Sequence, residues 1–77
     1  QVYPNPGEGS FSVVNPYSDN NIKMIISDLS GKKIIQKAIG KGVNYMNFED
    51  KLVSGIYLIT IDGNGLPPTT SKLIIRK

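Results

Sequence analysis

Apolar and polar positions alternate with a period of two along most of the chain, in short runs cut by glycine, proline, asparagine and aspartate. That period sends successive side chains to opposite faces of an extended backbone, so each run is predicted as a β-strand. The clearest run is Leu52–Ile61. After the Ser54-Gly55 break it sends Tyr57, Ile59 and Ile61 to one face and Ile56, Leu58 and Thr60 to the other. Both rows are largely apolar, which predicts a central strand buried on at least one side. The turn signal Asp62-Gly63-Asn64-Gly65 is expected to end it.

The remaining runs follow in order. Val2–Gly9 holds two prolines around Asn5, so any strand there is short and at an edge. Ser10–Val14 turns Phe11 and Val13 inward, and Asn15-Pro16 with Ser18–Asn21 reads as the loop that follows. Ile22–Asp28 sets Ile22, Met24 and Ile26 against Lys23, Ile25 and Ser27. Asp28–Lys32 is a hairpin turn with Gly31 at the left-handed position. Lys33–Ile39 returns as its partner, with a facing that the adjacent Ile34 and Ile35 leave open. After Gly40-Lys41-Gly42, Val43–Phe48 places Met46 and Phe48 inward. Glu49–Lys51 is a helical turn or plain loop. A loop from Asp62 to Thr70 with Pro67-Pro68 precedes the closing strand Ser71–Lys77, in which Leu73 and Ile75 oppose Ile74.

No stretch carries a 3.6-residue apolar period of helical length. About seven short, mainly antiparallel strands, with turn signals every ~8–12 residues, predict an all-β sandwich or barrel. The spacing Leu-x-x-Gly-x-Tyr at Leu52, Gly55 and Tyr57 is similar to the tyrosine corner of immunoglobulin-like sandwiches, where a Tyr hydroxyl bonds back to the upstream backbone. Ile59 stands two residues on, where an antibody domain carries its second Cys.

Composition narrows what the sandwich does. Seventy-seven residues are one domain's worth of chain, 1–77. The first residue is Gln1 rather than Met, so the domain is expected to be a fragment of a longer protein. There is no cysteine and no histidine, hence no disulfide and no Cys or His metal site. No apolar run is long enough for a membrane span, and no signal peptide opens the sequence. The net charge is +3, but six acidic residues are interspersed among nine basic ones. Scattered lysines of that kind guard sheet edges rather than track a nucleic acid. Ser54 lacks the Gly-x-Ser-x-Gly elbow of a nucleophile. Glu49 and Asp50 are adjacent and point apart, and Asp28 and Asp62 suit turns. Asp19-Asn20-Asn21 lacks the spacing of a calcium loop. No enzyme and no cofactor are expected.

Four ordered segments carry more. They are Val-Tyr-Pro-Asn-Pro-x-x-Gly-x-Phe-x-Val from Val2, Ser-Asp-Leu-Ser-Gly-Lys from Ser27, Leu-x-x-Gly-Ile-Tyr-x-Ile-x-Ile from Leu52, and Lys-Leu-Ile-Ile-x-Lys from Lys72 to Lys77. Together they resemble the type A C-terminal sorting domain of the type IX secretion system of Bacteroidetes-type Gram-negative bacteria. The set spans nearly the whole chain, and its end at Lys77 fits a natural C-terminus. The loop Gly65–Thr70 is longer and richer in proline than the usual pattern.

The resemblance implies an immunoglobulin-like sandwich that serves as an address. Cargo would cross the periplasm, the domain would be read by an outer-membrane translocon, and a sortase-like peptidase would usually remove it before the cargo is secreted or attached to the cell surface. The recognition candidates are Pro4, Asn5 and Pro6, the hairpin residues Ser30, Gly31 and Lys32, and the terminal Lys72, Leu73, Ile74, Ile75 and Lys77. The terminal strand is the preferred docking element, able to offer its edge to a partner or exchange it in a homodimer. Leu52, Gly55, Tyr57 and Ile59 are the structural signature. The competing reading is an adhesive or carbohydrate-binding module that uses Tyr3, Tyr17 and Tyr45 on loops and edges.

Overall fold

The computed structural model describes residues 2–3, 7–15, 22–63 and 67–77. Seven strands form: β1 Val2–Tyr3, β2 Ser10–Asn15, β3 Ile22–Ser27, β4 Lys33–Ile39, β5 Gly42–Asn47, β6 Gly55–Gly63 and β7 Thr69–Ile75. They make two sheets, a three-stranded one in the order β1-β2-β5 and a four-stranded one in the order β4-β3-β6-β7. All named pairings are antiparallel. The result is an all-β, immunoglobulin-like sandwich whose fourth strand joins the sheet of β3 rather than that of β5.

Period-two patterning decides which side chains are enclosed. Phe11 and Val13 from β2 meet Met24 and Ile26 from β3, with Ile59 from β6 and Leu73 from β7, each at most 1% exposed. Met46 and Phe48 close the core from the β5 side, and the Phe11 and Phe48 rings lie 6.0 Å apart, tilted by 56°. Leu52 is 1% exposed although it stands ahead of β6. It fills the space under the connection from β5, whose turn forms as the Lys51 and Leu52 amides both donate to the Phe48 carbonyl at 2.9 Å. The alternation also decides the row left outside on β6, where Ile56 is exposed and Leu58 and Thr60 are half-buried.

Strand ends shift by one or two residues from the sequence expectation at several places, with β3 ending at Ser27, β5 spanning Gly42–Asn47 and β7 ending at Ile75. Three further departures have a cause in the pairing. Asn15 belongs to β2, paired with Gly42, and is buried; its Nδ2 donates to the Gly40 carbonyl at 3.0 Å and pins the β4–β5 turn. β6 runs on through Asp62 and Gly63, because β3 offers Lys23 and Ile22 as partners for both. β7 starts at Thr69 rather than Ser71, since its threonines pair across to β6, with the Thr60 and Thr70 hydroxyls 3.1 Å apart. β4 also resolves its facing. The register shifts so that Ile26 pairs with Ile35 while Ser27 pairs with Lys33, and Ile34 is the extra residue. Ile35 then packs on the core and Ile34 is exposed.

Candidate recognition site

Register alone brings the sequence motifs together. Ser27 is level with Leu58 and Lys72, and Gly55 is level with Ile75. The β3–β4 hairpin, the start of β6 and the end of β7 therefore lie at one end of the four-stranded sheet. The segment into β2 arrives at the same end, and its contacts are made by backbone. The Gly7 amide donates to the Ile74 carbonyl at 3.0 Å and the Arg76 amide donates to the Gly7 carbonyl at 2.7 Å. Gly7 thus forms a parallel bridge on the outer edge of β7. Two residues later the Phe48 amide donates to the Gly9 carbonyl at 2.8 Å.

Gly9 explains why its motif carries glycine there. Its φ is +120°, and a Cβ would stand 2.9 Å from the Glu49 Cα and 3.2 Å from the Glu49 nitrogen. Both atoms are backbone, so neither can swing away. Around this crossing the Ser10 hydroxyl donates to Glu49 Oε2 at 2.5 Å, and the Lys77 amide donates to the Ser54 hydroxyl at 3.0 Å. The Lys77 ammonium donates to the Glu49 carbonyl. Glu8, Glu49, Asp50 and Lys77 line an open depression of about 280 Å³ here.

The tyrosine corner forms as its spacing predicts. The Tyr57 hydroxyl donates to the Val53 carbonyl at 2.7 Å while its ring is 8% exposed. Ile59 is buried beside it in β6, and Gly55 lies under the ring, its added Cβ 3.8 Å from Tyr57 Cε2. In the hairpin, the Gly31 amide donates to the Asp28 carbonyl and the Asp28 amide to the Lys32 carbonyl, both at 3.0 Å. Gly31 takes φ +92° as expected. One carboxylate oxygen of Asp28 accepts from the Ser30 hydroxyl at 2.6 Å, the Ser30 amide at 2.9 Å and the Lys32 amide at 3.0 Å. The Ser30 hydroxyl, then the Lys32 and Ser30 amides, hold this carboxyl below its ordinary pKa, with a small contribution from the Lys32 charge.

The terminal motif divides between core and surface. Leu73 and Ile75 are enclosed, at 0% and 2% exposure. Lys72, Ile74 and Arg76 alternate with them on the other row, Ile74 half-buried and the two cations exposed. Ile74 pairs with Ile56, and Lys72 with Leu58. Ile56 is 45% exposed, so it is a motif residue that the core does not use. On the terminal strand the outer backbone groups at Ile74 and Arg76 are already taken by Gly7. A partner strand reaching that edge would first displace Gly7.

Pro4, Asn5 and Pro6 lie outside the described residues, as do Tyr17, Asp19–Asn21 and residues 64–66 of the last loop. Tyr3 and Tyr45, both exposed, stand either side of Ser12 on the outer face of the three-stranded sheet, by register Tyr3–Ser12–Tyr45. Sequence reasoning placed these tyrosines on loops and edges without seeing that they share a face. Among the described residues no group of three or more acidic side chains is arranged to hold a metal ion, and no helix is long and apolar enough to cross a membrane.

The comparisons with known proteins agree with the motif order. A family model described as "Secretion system C-terminal sorting domain" matches residues 1–76. No curated protein matches the chain.

Proposed function

The chain belongs to the secretion system C-terminal sorting domain family, and on that premise we propose that its address is read at the end of the sandwich where Gly7–Gly9, the Asp28–Lys32 hairpin and Ile74–Lys77 converge. The family makes it a C-terminal sorting signal for type IX secretion, which implies export to the cell surface or medium of a Gram-negative bacterium and contact with that secretion machinery. A sorting-signal family is not an enzyme family. The observation that carries the function is the family match over residues 1–76, nearly the whole sandwich.

The proposed partner is the outer-membrane translocon, met from the periplasm, with a sortase-like peptidase acting afterwards on the chain ahead of this single domain. Within the motifs, the side chains fit to be read are those that the core leaves over. Ile56, Leu58 and Ile74 form an apolar stripe on the outer face of the four-stranded sheet, with Lys72 and Arg76 on the same row of β7. Ser30, Gly31 and Lys32 are exposed at the neighbouring hairpin. Leu73 and Ile75 contribute by holding the strand in place. A strand-exchanged homodimer would re-form the Gly7 bridge and the β6 ladder between two copies, after both had first opened within each chain.

Fusing residues 1–77 behind a periplasmic reporter in a host with this secretion system is expected to send the reporter outside the cell. Deleting Lys72–Lys77 is expected to trap it in the periplasm. Retention of the intact fusion overturns the sorting function, and normal export of the deletion overturns the role of the terminal strand.

A second reading has one observation in its favour, the Tyr3–Ser12–Tyr45 row. Two exposed phenol rings separated by two strand spacings, about 10 Å, make a flat uncharged platform suited to stacking on sugar rings. A glycan array comparing the chain with Tyr45→Ala tests it, and an absence of binding by the unaltered chain removes it.

A further inference from the structure

The four-stranded sheet has two edges, and they differ. At β7 the outward groups of Ile74 and Arg76 bond to Gly7. Successive residues of a strand direct their backbone groups to alternate sides, so this contact sets the parity of the whole sheet. Ile75, and with it Leu73, must bond to β6; Leu58 and Thr60 then bond to β3; and Met24 and Ile26 bond to β4 through Lys37 and Ile35. Gln36 and Ala38 are left with their amides and carbonyls directed away from the sheet. No other described strand pairs with β4 on that side.

Beside this edge lies a groove of about 560 Å³, lined by Ile34, Ile35, Gln36 and Lys37 of β4 with Phe48 and Lys51 across from them. Ile35 and Phe48 give it an apolar floor. Its two charged groups are both ammonium groups, and no carboxylate is among its lining residues. Lys37 is in the row of β4 that includes the buried Ile39, paired with the buried Met24, yet it is itself exposed because it sits at the sheet's margin. A lysine in such a place repels an uncharged or basic strand. It accepts one that brings a carboxylate.

We propose that the β4 edge is a docking site for an extended peptide segment of a protein partner, in which acidic and apolar residues take turns at every second position, so that both kinds face the groove as Ile35 and Lys37 do. The segment adds as a fifth strand through Gln36 and Ala38. Its apolar side chains enter the groove over Ile35 and Phe48, and its carboxylates meet Lys37 and Lys51. Who supplies the segment, a component of the secretion machinery, rests on the sorting function; the chemistry of the edge does not. The docking edge is thus the opposite margin from the terminal strand that the sequence favoured.

The test uses the isotope-labelled 77-residue chain and three kinds of capped ten-residue probe. The Glu–Val peptide repeats Val-Ser-Glu-Ser, which keeps Val and Glu on one face, the Lys–Val peptide repeats Val-Ser-Lys-Ser, and the third is the Glu–Val peptide N-methylated on one or the other alternate set of amides. The expected result is that the Glu–Val peptide shifts the Gln36 and Ala38 amide resonances and the Lys–Val peptide does not. One N-methyl pattern abolishes binding and the other leaves it intact, because an added strand bonds through a single side. The Lys37→Glu/Lys51→Glu chain, its fold checked by spectral dispersion, binds about tenfold more weakly. Absence of binding at millimolar peptide, equal binding of the Lys–Val probe, or indifference to both N-methyl patterns, as a merely polyanion-binding surface would show, overturns the proposal. Export of the reporter fusion without peptide binding removes this site and leaves the sorting function. Binding without export does the reverse.

Discussion

Replacing Gly9 by alanine is expected to damage the sandwich more than any other glycine-to-alanine change whose contacts the structure describes. Two effects add. A φ of +120° is a backbone region that side chains rarely adopt, and holding a non-glycine residue in such a region costs about 1–3 kcal/mol. The new methyl would also meet the Glu49 Cα at 2.9 Å. Relief requires the β5 exit to move away from the start of β2, and overpacking of this kind costs about 1–3 kcal/mol more. The sum, about 2–6 kcal/mol, compares with a total stability of roughly 4–12 kcal/mol for 77 residues. Gly31→Ala isolates the first effect, since Gly31 has φ +92° but nothing within 4 Å of its added Cβ; a loss of about 1–2 kcal/mol is expected. Gly40→Ala carries neither, having open space and no positive φ, and should stay within about 1 kcal/mol of the parent. Urea denaturation of the three variants measures the series. A Gly9→Ala loss no larger than that of Gly31→Ala would refute the close-approach argument and leave only backbone strain.

Tyr57→Phe removes one hydrogen bond to the Val53 carbonyl and is expected to cost about 0.5–1.5 kcal/mol while export continues; Tyr57→Ala, which empties a buried ring site, should cost about 3–5 kcal/mol and fail in export by unfolding, so a Tyr57→Ala chain that keeps its circular dichroism yet is not exported contradicts a purely structural role. Because hydrogen bonds depress the folded-state pKa of Asp28, its ionised form stabilises the fold above the unfolded value of about 3.9 and that contribution fades as pH falls through the depressed range. Thermal melts between about pH 2 and 7 should show the gap between the parent and Asp28→Asn closing only at the acid end, and a gap that widens there would reverse the sign. Ile56→Glu, on the outer face beside Ile74, should leave the melting curve within a few degrees of the parent yet lower export of the reporter fusion, whereas Val53→Glu, at a residue 72% exposed outside that stripe, should leave both unchanged; equal export by the two variants argues against the stripe.

Most strands were legible because one face of each is buried, and burial of one face writes a period of two into the residues. Phe11 and Val13, Met24 and Ile26, and Tyr57, Ile59 and Ile61 all point where their alternation says. Gly31 was legible because a tight hairpin needs a left-handed residue at a known place. The facing of Lys33–Ile39 was not, since a bulge opposite Ser27 inserts one residue and breaks the count between Lys33 and Ile35. The strand ends at Gly63 and Thr69 depend on how far the neighbouring strand extends, which lies elsewhere in the chain. The same limit applies to the recognition surface. The order of the four motifs identified the family, and the alternation within Lys72–Lys77 already separated Leu73 and Ile75 from Ile74. The Gly7 bridge that covers the edge of β7 joins residues nearly the whole chain apart, and no local pattern announces it. Nor does any local pattern show that Ile56 and Ile74 are neighbours, or that Lys37 and Lys51 border one groove.

The Gly7 bridge also has a mechanical consequence. Its two hydrogen bonds cross between strands that run in the same direction, so traction on the chain ahead of Gly7, resisted by β7, loads both bonds in shear at once. They yield together, whereas an antiparallel hairpin pulled from its open end peels one rung at a time. Gly7→Pro, which removes the amide donor to Ile74, should therefore lower the unfolding force in a single-molecule pulling experiment more than it lowers the melting temperature. A sandwich clasped in this way can be towed by whatever precedes it and still present its folded end.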